Sequence, residues 1–287
     1  MKKLIAVSIL SAFAFGTAAA ADGVEVIKLW PNGAPNKSTI TEPETVKNGA
    51  IFNVTEARLE VTRPSNPNGK AVILIPGGGY GNLSMPTIEQ SFRPFFLGEG
   101  YTTFVLKYRL PKGDPAIPLS DANKAVETVR SLFGQYSLHT VGVMGASAGG
   151  HLAAMASVSC KGASCPDFSV LIYPNITMMQ EESQPKSSCR NNLIGKDRSV
   201  KYDTTYSAYK HVSLTTPPAF LAVSAQDEYA GSLGSMLYTR AMIENARPVT
   251  LHVYETGNHG WGIEKSDKFA DGDTFRADLS MWLKKIK

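Results

Sequence analysis

The sequence is poor in charged residues for a chain of 287 amino acids. Charged side chains make up 19% of the residues, and the formal net charge is only +4. So small an excess of positive charge offers no electrostatic surface for nucleic acid, and no nucleic-acid partner is expected. Hydrophobic residues reach 43%, which excludes a disordered or collagen-like chain and is typical of a folded globular protein.

Cysteine is also scarce. The three cysteines, Cys160, Cys165 and Cys189, fall within one stretch of the chain. In an oxidising compartment they predict one disulfide and one spare thiol, although the pairing cannot be deduced from the sequence. Because no histidine lies beside them at the spacing of metal ligands, no metal site is expected. No organic cofactor is expected either, since the serine chemistry inferred below needs none.

Long hydrophobic runs are limited to the first residues. Lys2 and Lys3 precede an apolar stretch from Leu4 to Phe15, and a run of alanines ends at Ala21. This pattern predicts a signal peptide over residues 1–21 and a periplasmic or secreted product. The alternative is a membrane anchor, but the run is shorter than the roughly 20 residues that a membrane span needs, so no stable membrane insertion is expected.

Short apolar runs alternate with helical patterns along the rest of the chain. Strands are predicted at Ala71–Ile75, Thr103–Leu106, Val141–Met144, Ser169–Ile172, Ala219–Val223 and Val249–Tyr254, and helices at Leu119–Phe133, Ala148–Val158, Leu233–Asn245 and Thr274–Lys285. Continuous apolar strands are buried on both faces, so this order predicts an α/β fold with a mostly parallel sheet and helices on both faces. Residues 22–287 fit a single domain, and Ala50 to Thr62 is expected to form an antiparallel edge.

One polar segment interrupts this alternation. Residues 174–217, called the insertion below, are rich in Ser, Asn and Lys and show no long strand pattern. An insertion of this length beside strand ends often shapes a binding site, and a surface excursion without a role in binding is an equally good interpretation.

Ser147 is the strongest candidate for a catalytic residue. It stands at the centre of Gly145-Ala146-Ser147-Ala148-Gly149, between the strand that ends at Met144 and an alanine-rich helix. This G-x-S-x-G sequence, directly between a strand and a helix, is typical of a nucleophile elbow.

A serine nucleophile needs a base, and of the five histidines only His259 lies in a loop after the end of a strand. The acid that orients it is expected to be Asp227, which follows the strand ending at Val223. The neighbouring Glu228 is the alternative acid. An acidic pair at the start of a helix can also serve only to cap that helix. The order Ser147, Asp227, His259 is that of α/β-hydrolases.

The oxyanion of the reaction requires backbone N–H groups that no side chain obstructs. Ala148 follows the nucleophile, and Gly78 and Gly79 belong to a glycine run after the strand ending at Ile75. These three residues are the predicted oxyanion hole, and a merely flexible loop is the alternative for the glycines.

Several sequence blocks occur in one order along the chain: Leu29-Trp30-Pro31-Asn32-Gly33-Ala34-Pro35, Pro76-Gly77-Gly78-Gly79-Tyr80, Leu106-Lys107-Tyr108-Arg109-Leu110-Pro111, Gly145 to Ala153, Leu171-Ile172-Tyr173-Pro174, Pro217 to Leu221, and His252-Val253-Tyr254 with Gly257 to Gly262. Together they resemble secreted bacterial α/β-hydrolases of the acetyl xylan esterase and acetylesterase type. The resemblance implies a serine esterase acting on acetylated plant polysaccharide or its oligosaccharides, with Ser147, Asp227 and His259 as triad.

Two positions depart from the pattern of such hydrolases. Asp227-Glu228-Tyr229-Ala230-Gly231 stands where Asp-x-x-Val-Pro is common, and Pro76 stands where lipases carry histidine. The first departure alters the loop beside the acid and thereby the shape of the pocket.

Tyr80 and Trp261 each lie beside a predicted catalytic loop and are candidate walls of a substrate pocket, with core packing as an equally good interpretation. Two other functions stay open: a serine peptidase of the prolyl-oligopeptidase type, and a non-catalytic binding module on the same fold. The oligomeric state cannot be deduced from the sequence.

Overall fold

The structure is a computed structural model that describes residues 18–19, 24–182, 186–195 and 199–287. The signal peptide predicted for residues 1–21 lies outside the described residues apart from Ala18 and Ala19.

The described residues form twelve strands. In chain order they are β1 (Ala18–Ala19), β2 (Glu25–Lys28), β3 (Thr45–Lys47), β4 (Ala50–Phe52), β5 (Arg58–Thr62), β6 (Lys70–Ile75), β7 (Leu83–Ser84), β8 (Thr102–Lys107), β9 (Thr140–Ala146), β10 (Phe168–Ile172), β11 (Ala219–Ser224) and β12 (Val249–Tyr254). Nine of them make one sheet in the order β1-β2-β5-β8-β6-β9-β10-β11-β12, and β3, β4 and β7 make a second, small sheet.

The central sheet is parallel from β8 to β12 and antiparallel from β1 to β8. Every residue of β9, β10 and β11 is buried, as strands covered on both faces must be. The mostly parallel sheet predicted from the apolar runs is therefore confirmed. The carboxyl ends of β6, β9, β11 and β12 meet at one edge, where the candidate site residues follow.

The same part of the chain contains nine α-helices. They are α1 (Met85–Thr87), α2 (Arg93–Gly98), α3 (Ala116–Ser131), α4 (Phe133–Tyr136), α5 (Ala148–Ser159), α6 (Cys189–Ile194), α7 (Val200–Thr205), α8 (Leu233–Glu244) and α9 (Gly272–Leu283). A π-helical turn at Ile88–Phe92 joins α1 to α2. The four predicted helices are confirmed as α3, α5, α8 and α9, with ends that differ by a few residues. Within the described ranges, no helix combines the length and the hydrophobicity needed to cross a membrane.

Ala50 to Thr62 is antiparallel to its neighbours, as expected, but it does not form one edge of the central sheet. The segment divides into β4, which belongs to the small sheet, and β5, which lies inside the large sheet between β2 and β8. Asn53 turns the chain between them with a positive φ of 57°, a conformation that asparagine tolerates better than most residues. Since β2 covers β5, the position of β5 depends on a strand that the sequence analysis did not predict.

A buried ion pair fixes the N-terminal segment to the sheet. Arg109 follows β8, and its guanidinium contacts the carboxylate of Asp121 at 2.7 Å with both side chains almost completely buried. The indole N–H of Trp30 donates to the same carboxylate at 2.7 Å. Trp30 and Arg109, which belong to two of the sequence blocks quoted above, thus have a structural role: both bind the carboxylate of Asp121.

The insertion is held together by polar contacts rather than by strands in its described part. The guanidinium of Arg190 in α6 contacts the carboxylate of Asp203 in α7 at 2.6 Å and donates to the carbonyl of Met178 at 2.8 Å. Arg190 and Asp203 are buried. A buried charge pair of this kind specifies one geometry, because removal of either partner would leave an uncompensated charge.

The prediction of one disulfide and one spare thiol is confirmed. Cys160 and Cys165 are bonded just beyond the end of α5, and Cys189 is a free, buried thiol at the start of α6.

Candidate active site

Ser147 stands on a sharp turn between β9 and α5. Its backbone has φ 57° and ψ −120°, a strained conformation for a residue with a side chain. Two hydrogen bonds hold the turn: the Ser147 N–H donates to the carbonyl of Ile172 at 2.9 Å, and the His151 N–H donates to the carbonyl of Ser147 at 3.0 Å. The strain is therefore maintained by both a neighbouring strand and the helix.

The two glycines of the motif are required by close approach of backbone segments. A Cβ atom at Gly145 would lie 2.1 Å from the carbonyl oxygen of Gly149, and one at Gly149 would lie 2.1 Å from the carbonyl oxygen of Ile75. Neither backbone atom can move away without displacing a strand or the helix. The spacing of the G-x-S-x-G sequence thus follows from the packing of α5 against β6 and β9.

Ser147, His259 and Asp227 form one chain of hydrogen bonds. The His259 Nε2 lies 2.8 Å from the Ser147 Oγ, and the His259 Nδ1 lies 2.8 Å from the Asp227 Oδ2. Because a carboxylate accepts hydrogen bonds, Nδ1 carries the proton and the Nε2 lone pair faces the serine hydroxyl. The structure brings together all three residues from loops that follow β9, β11 and β12.

Asp227, rather than Glu228, contacts the histidine. The Asp227 carboxylate is buried, and its second oxygen accepts from the N–H groups of Tyr229 at 2.8 Å and Ala230 at 2.9 Å. Glu228 instead faces solvent, where it pairs with Lys186 of the insertion at 2.6 Å. The loop that differs from the common hydrolase pattern therefore still orients Asp227, through its own backbone N–H groups.

The glycine loop after β6 lies against the elbow. A Cβ atom at Gly77 would lie 3.0 Å from the Cβ of Ser147, so this backbone runs beside the serine. The carbonyls of Gly77, Gly78 and Gly79 accept hydrogen bonds from Ser84, Gly81 and Asn192, respectively. Ala148 is the first residue of α5, where backbone N–H groups have no partner within the helix. Gly78 and Gly79 line the same cavity as Ser147, and Ala148 is its neighbour in the chain. That their N–H groups form an oxyanion hole stays a prediction.

The site opens into a cavity of about 380 Å³. Its lining presents both polar and apolar groups and comprises Gly77, Gly78, Gly79, Asn82, Ser84, Thr87, Ile88, Ala146, Ser147, Tyr173, Asn175, Lys186, Ser187, Ser188, Cys189, Tyr229, His259 and Gly260. The insertion supplies one wall with residues 186–189. Of its two interpretations, the geometry therefore supports the one in which it shapes a binding site.

Neither of the two predicted aromatic pocket residues lines this cavity. Tyr80 is 2% exposed, and its hydroxyl donates to the His151 Nδ1 at 2.7 Å. Trp261 is 5% exposed and stacks on Phe269 with ring centroids 4.2 Å apart. Core packing, the alternative interpretation of both rings, is the role that the structure gives them.

Two other tyrosines, which the sequence analysis did not select, contact His259 instead. The ring of Tyr173 lies 4.8 Å from the imidazole, and the ring of Tyr229 lies 5.4 Å from it. The Tyr173 hydroxyl donates to the carbonyl of Trp261 at 2.7 Å, which ties the histidine loop to the end of β10. Burial raises the pKa of Tyr173, so this donor keeps its proton. Tyr173 directly follows β10, and Tyr229 lies two residues after Asp227. These positions were the sequence signal from which a contact with the site could have been predicted.

Among the described residues, no group of three or more His, Cys, Asp and Glu side chains could hold a metal ion.

A comparison with protein-family models matches residues 59–240 to the BD-FAE family. This match covers more than half of the sequence. The chain belongs to the BD-FAE family. The family match includes Ser147 and Asp227 and ends before His259, so the histidine is identified here by its contacts with them.

The chain is also similar to an acetylxylan esterase of Xylanibacter ruminicola. The two are 34% identical over 238 residues, which are 80% of this chain and 48% of that protein. The chain therefore spans about half the length of this relative.

Solved structures show the same architecture as this BD-FAE member. The acetyl ester-xyloside bifunctional hydrolase of Caldicellulosiruptor lactoaceticus is 25% identical, with a TM-score of 0.72 over 91% of this chain and 96% of that one. A carboxylesterase of Lactobacillus plantarum is 20% identical, with a TM-score of 0.69 over 85% of this chain and 96% of that one. With the mostly parallel sheet, these likenesses confirm the predicted α/β-hydrolase fold.

Behind the elbow of this BD-FAE chain, His151 connects α5 to two other segments. Its Nδ1 accepts from the Tyr80 hydroxyl, and its Nε2–H donates to the carbonyl of Tyr206 in the insertion at 2.7 Å. Burial lowers the pKa of His151 to about 4. The imidazole is therefore neutral at neutral pH and fastens the glycine loop and the insertion to the elbow helix.

This lowered pKa makes folding depend on pH. Between pH 6.5 and pH 4 the unfolded chain binds a proton at His151 that the folded protein does not, so stability decreases as the pH falls. We expect His151 to contribute a loss of about 2 kcal/mol in the free energy of unfolding between pH 7.5 and pH 5. Urea denaturation of the wild type and of His151→Gln at both pH values measures this loss. Between pH 7.5 and pH 5, the free energy of unfolding should fall by about 2 kcal/mol less in the variant than in the wild type. Equal losses would show that His151 titrates normally in the folded protein.

Proposed function

We propose that the chain is a serine carboxylic ester hydrolase that removes acetyl groups from acetylated xylan or related oligosaccharides. The observation that carries the proposal is the position of His259, within 2.8 Å of both Ser147 and Asp227 at the cavity. The name of the acetylxylan esterase relative and membership of the BD-FAE family support the choice of reaction and substrate.

In the first step, the Ser147 Oγ attacks the ester carbonyl carbon while the His259 Nε2 takes the hydroxyl proton. The carbonyl oxygen becomes an oxyanion, which the N–H groups of Ala148, Gly78 and Gly79 stabilise. The carboxylate of Asp227 stabilises the imidazolium. Collapse of the tetrahedral intermediate breaks the ester bond, and the alcohol leaves with the proton from His259.

The second step repeats this chemistry with water. His259 takes a proton from the water molecule as its oxygen attacks the acyl carbon on Ser147. Collapse of the second tetrahedral intermediate releases the acid and returns the proton to the serine oxygen. The residues involved need no metal or organic cofactor for either step.

The cavity favours a short acyl group. Among the described residues, Ile88 is the one large aliphatic side chain of its lining, and Asn82, Ser84, Thr87 and Asn175 contribute amide and hydroxyl groups. A long alkyl chain would therefore displace water from amide and hydroxyl groups without forming hydrogen bonds in return. An acetyl group adds only one methyl beside the carbonyl, so this cost stays small.

The test is the release of acetate from acetylated xylan by the purified protein, with p-nitrophenyl acetate, p-nitrophenyl octanoate and a peptide p-nitroanilide alongside. We expect acetate release and a kcat/KM for the octanoate that is lower than that for the acetate by about tenfold or more. Turnover of the small ester without acetate release from xylan would retain the esterase but remove xylan as its substrate. Cleavage of the anilide alone would favour the peptidase, and turnover of none of the four would favour the binding module.

We also propose that the protein works in the periplasm or outside the cell. The leader pattern of residues 1–21 supports export. So does the bond between Cys160 and Cys165, because disulfides persist in oxidising compartments.

A further inference from the structure

Tyr229 stands out among the residues of the cavity. Its side chain is 44% exposed and lines the cavity, whereas Tyr173, the other tyrosine of the lining, is 2% exposed. A single exposed aromatic ring is ordinary on a protein surface, but this one lies in the lining of the catalytic cavity. Tyr229 therefore offers an exposed ring surface within the site.

The backbone of Tyr229 is fixed by the acid of the site. Its N–H donates to the Asp227 Oδ1 at 2.8 Å, within the same turn that orients the carboxylate. Its ring is inclined by 36° to the imidazole of His259, with 5.4 Å between the centroids. The ring is thus held beside the group that moves the proton.

The alcohol of the ester leaves beside His259. In the proposed reaction His259 donates its proton to the oxygen of the departing alcohol, so that oxygen must be near Nε2. The portion of the alcohol beyond the oxygen therefore lies in the part of the cavity around the imidazole. Tyr229 is next to the imidazole at the cavity mouth, and its ring is available to that portion of the substrate.

The surroundings of Tyr229 are polar and charged. The Lys186 Nζ contacts the Glu228 Oε2 at 2.6 Å, and the Asn258 amide donates to the same carboxylate oxygen at 3.2 Å. Lys186 lines the cavity, and Glu228 and Asn258 directly precede Tyr229 and His259 in the chain. An aromatic face bordered by ammonium, carboxylate and amide groups matches a sugar, whose C–H face is apolar and whose rim carries hydroxyl groups.

We propose that Tyr229 packs against a pyranose ring of the alcohol portion and is the residue that selects carbohydrate esters over simple alkyl esters. This inference rests on the proposed function and adds to it the side chain that recognises the sugar.

The experiment compares two substrates in each variant: an acetylated xylo-oligosaccharide and ethyl acetate, which has no ring. The quantity measured is the ratio of kcat/KM for the oligosaccharide to that for ethyl acetate. We expect Tyr229→Ala to lower this ratio about three- to tenfold, the effect of one aromatic packing contact, mainly through KM. Tyr229→Phe keeps the ring and should keep the wild-type ratio. Tyr202→Ala, which removes a tyrosine that is 38% exposed and lies outside the cavity, is the matched control.

Inhibition by the unacetylated xylo-oligosaccharide gives a second readout. It should compete with ethyl acetate in the wild type, and its Ki should rise in Tyr229→Ala by the same factor. An unchanged ratio and Ki in Tyr229→Ala would overturn the inference, and so would equal losses in Tyr229→Phe and Tyr229→Ala. Failure of the proposed function is distinguishable, because the wild type would then release no acetate from the oligosaccharide, whether or not it hydrolyses ethyl acetate.

Discussion

Ser147→Ala is expected to lower kcat for p-nitrophenyl acetate by about 10⁴-fold or more, since the variant lacks the oxygen that forms the acyl-enzyme. Its thermal unfolding should remain close to that of the wild type, because alanine accepts the backbone of the elbow with the loss of one hydrogen bond. Steady-state kinetics and circular dichroism of both proteins measure the two quantities.

A fluorophosphonate probe with mass spectrometry identifies the nucleophile directly. The probe should attach to the peptide that contains Ser147 in the wild type and in Ser188→Ala, and it should attach to nothing in Ser147→Ala. Ser188 is the matched control because it lines the same cavity without a contact to His259. Labelling of Ser188 in the wild type, or full activity of Ser147→Ala, would refute the assignment.

Asp227→Asn is expected to have the next largest effect, a loss in kcat of about 10⁴-fold. The amide can present its NH₂ group to His259, which favours the tautomer with the proton on Nε2 and removes the base that faces Ser147. The substitution also takes away the charge that stabilises the imidazolium. The kinetics of ethyl acetate hydrolysis measure this loss without a contribution from the sugar portion of a substrate.

Glu228→Gln is the paired variant, since the sequence alone left both acids open. Glu228 lies in an exposed ion pair with Lys186, and exposed pairs contribute little, so a loss of at most about tenfold is expected. If Glu228→Gln lost as much activity as Asp227→Asn, the orientation of the histidine by Asp227 would be disproved.

The sequence predicted those parts of the molecule in which neighbours along the chain decide the structure. Five of the six predicted strands were recognisable as buried from continuous apolar runs, because each lies between two others in the sheet. The sixth, β12, was predicted as buried in the same way, but it is an edge strand with only Tyr254 buried. The elbow was recognisable because its glycines meet backbone atoms only a few residues away or on the adjacent β6. Residues at the carboxyl ends of parallel strands then meet at one edge, whatever the lengths of the connecting segments.

The direction of a side chain in a loop was not predictable in the same way. Tyr80 has a positive φ of 61°, and its hydroxyl meets His151, 71 residues further along the chain. Adjacency to the glycine loop therefore suggested a pocket residue, while the backbone turn placed the ring in the core. Trp261 likewise follows His259 closely but packs against Phe269.

The walls of the cavity were the least predictable part. Lys186 and Glu228 are separated by 42 residues and meet only because the insertion folds over the acid loop. The insertion has no apolar periodicity, and its described helices are held by contacts such as that between Arg190 and Asp203. A pattern in the local sequence cannot predict which side chains these long-range contacts place beside Ser147.

The burial of Cys189 has a consequence for the permanence of the one disulfide. Thiol–disulfide exchange requires a thiolate that can approach the bridge, and burial raises the pKa of the Cys189 thiol. In the folded protein, the spare thiol is thus both protonated and shielded from the bond between Cys160 and Cys165. Of the three possible pairings, the one present closes the shortest loop, which costs the least entropy. Although the number of cysteines is odd, the folded protein thus offers its own disulfide no reactive thiolate from Cys189.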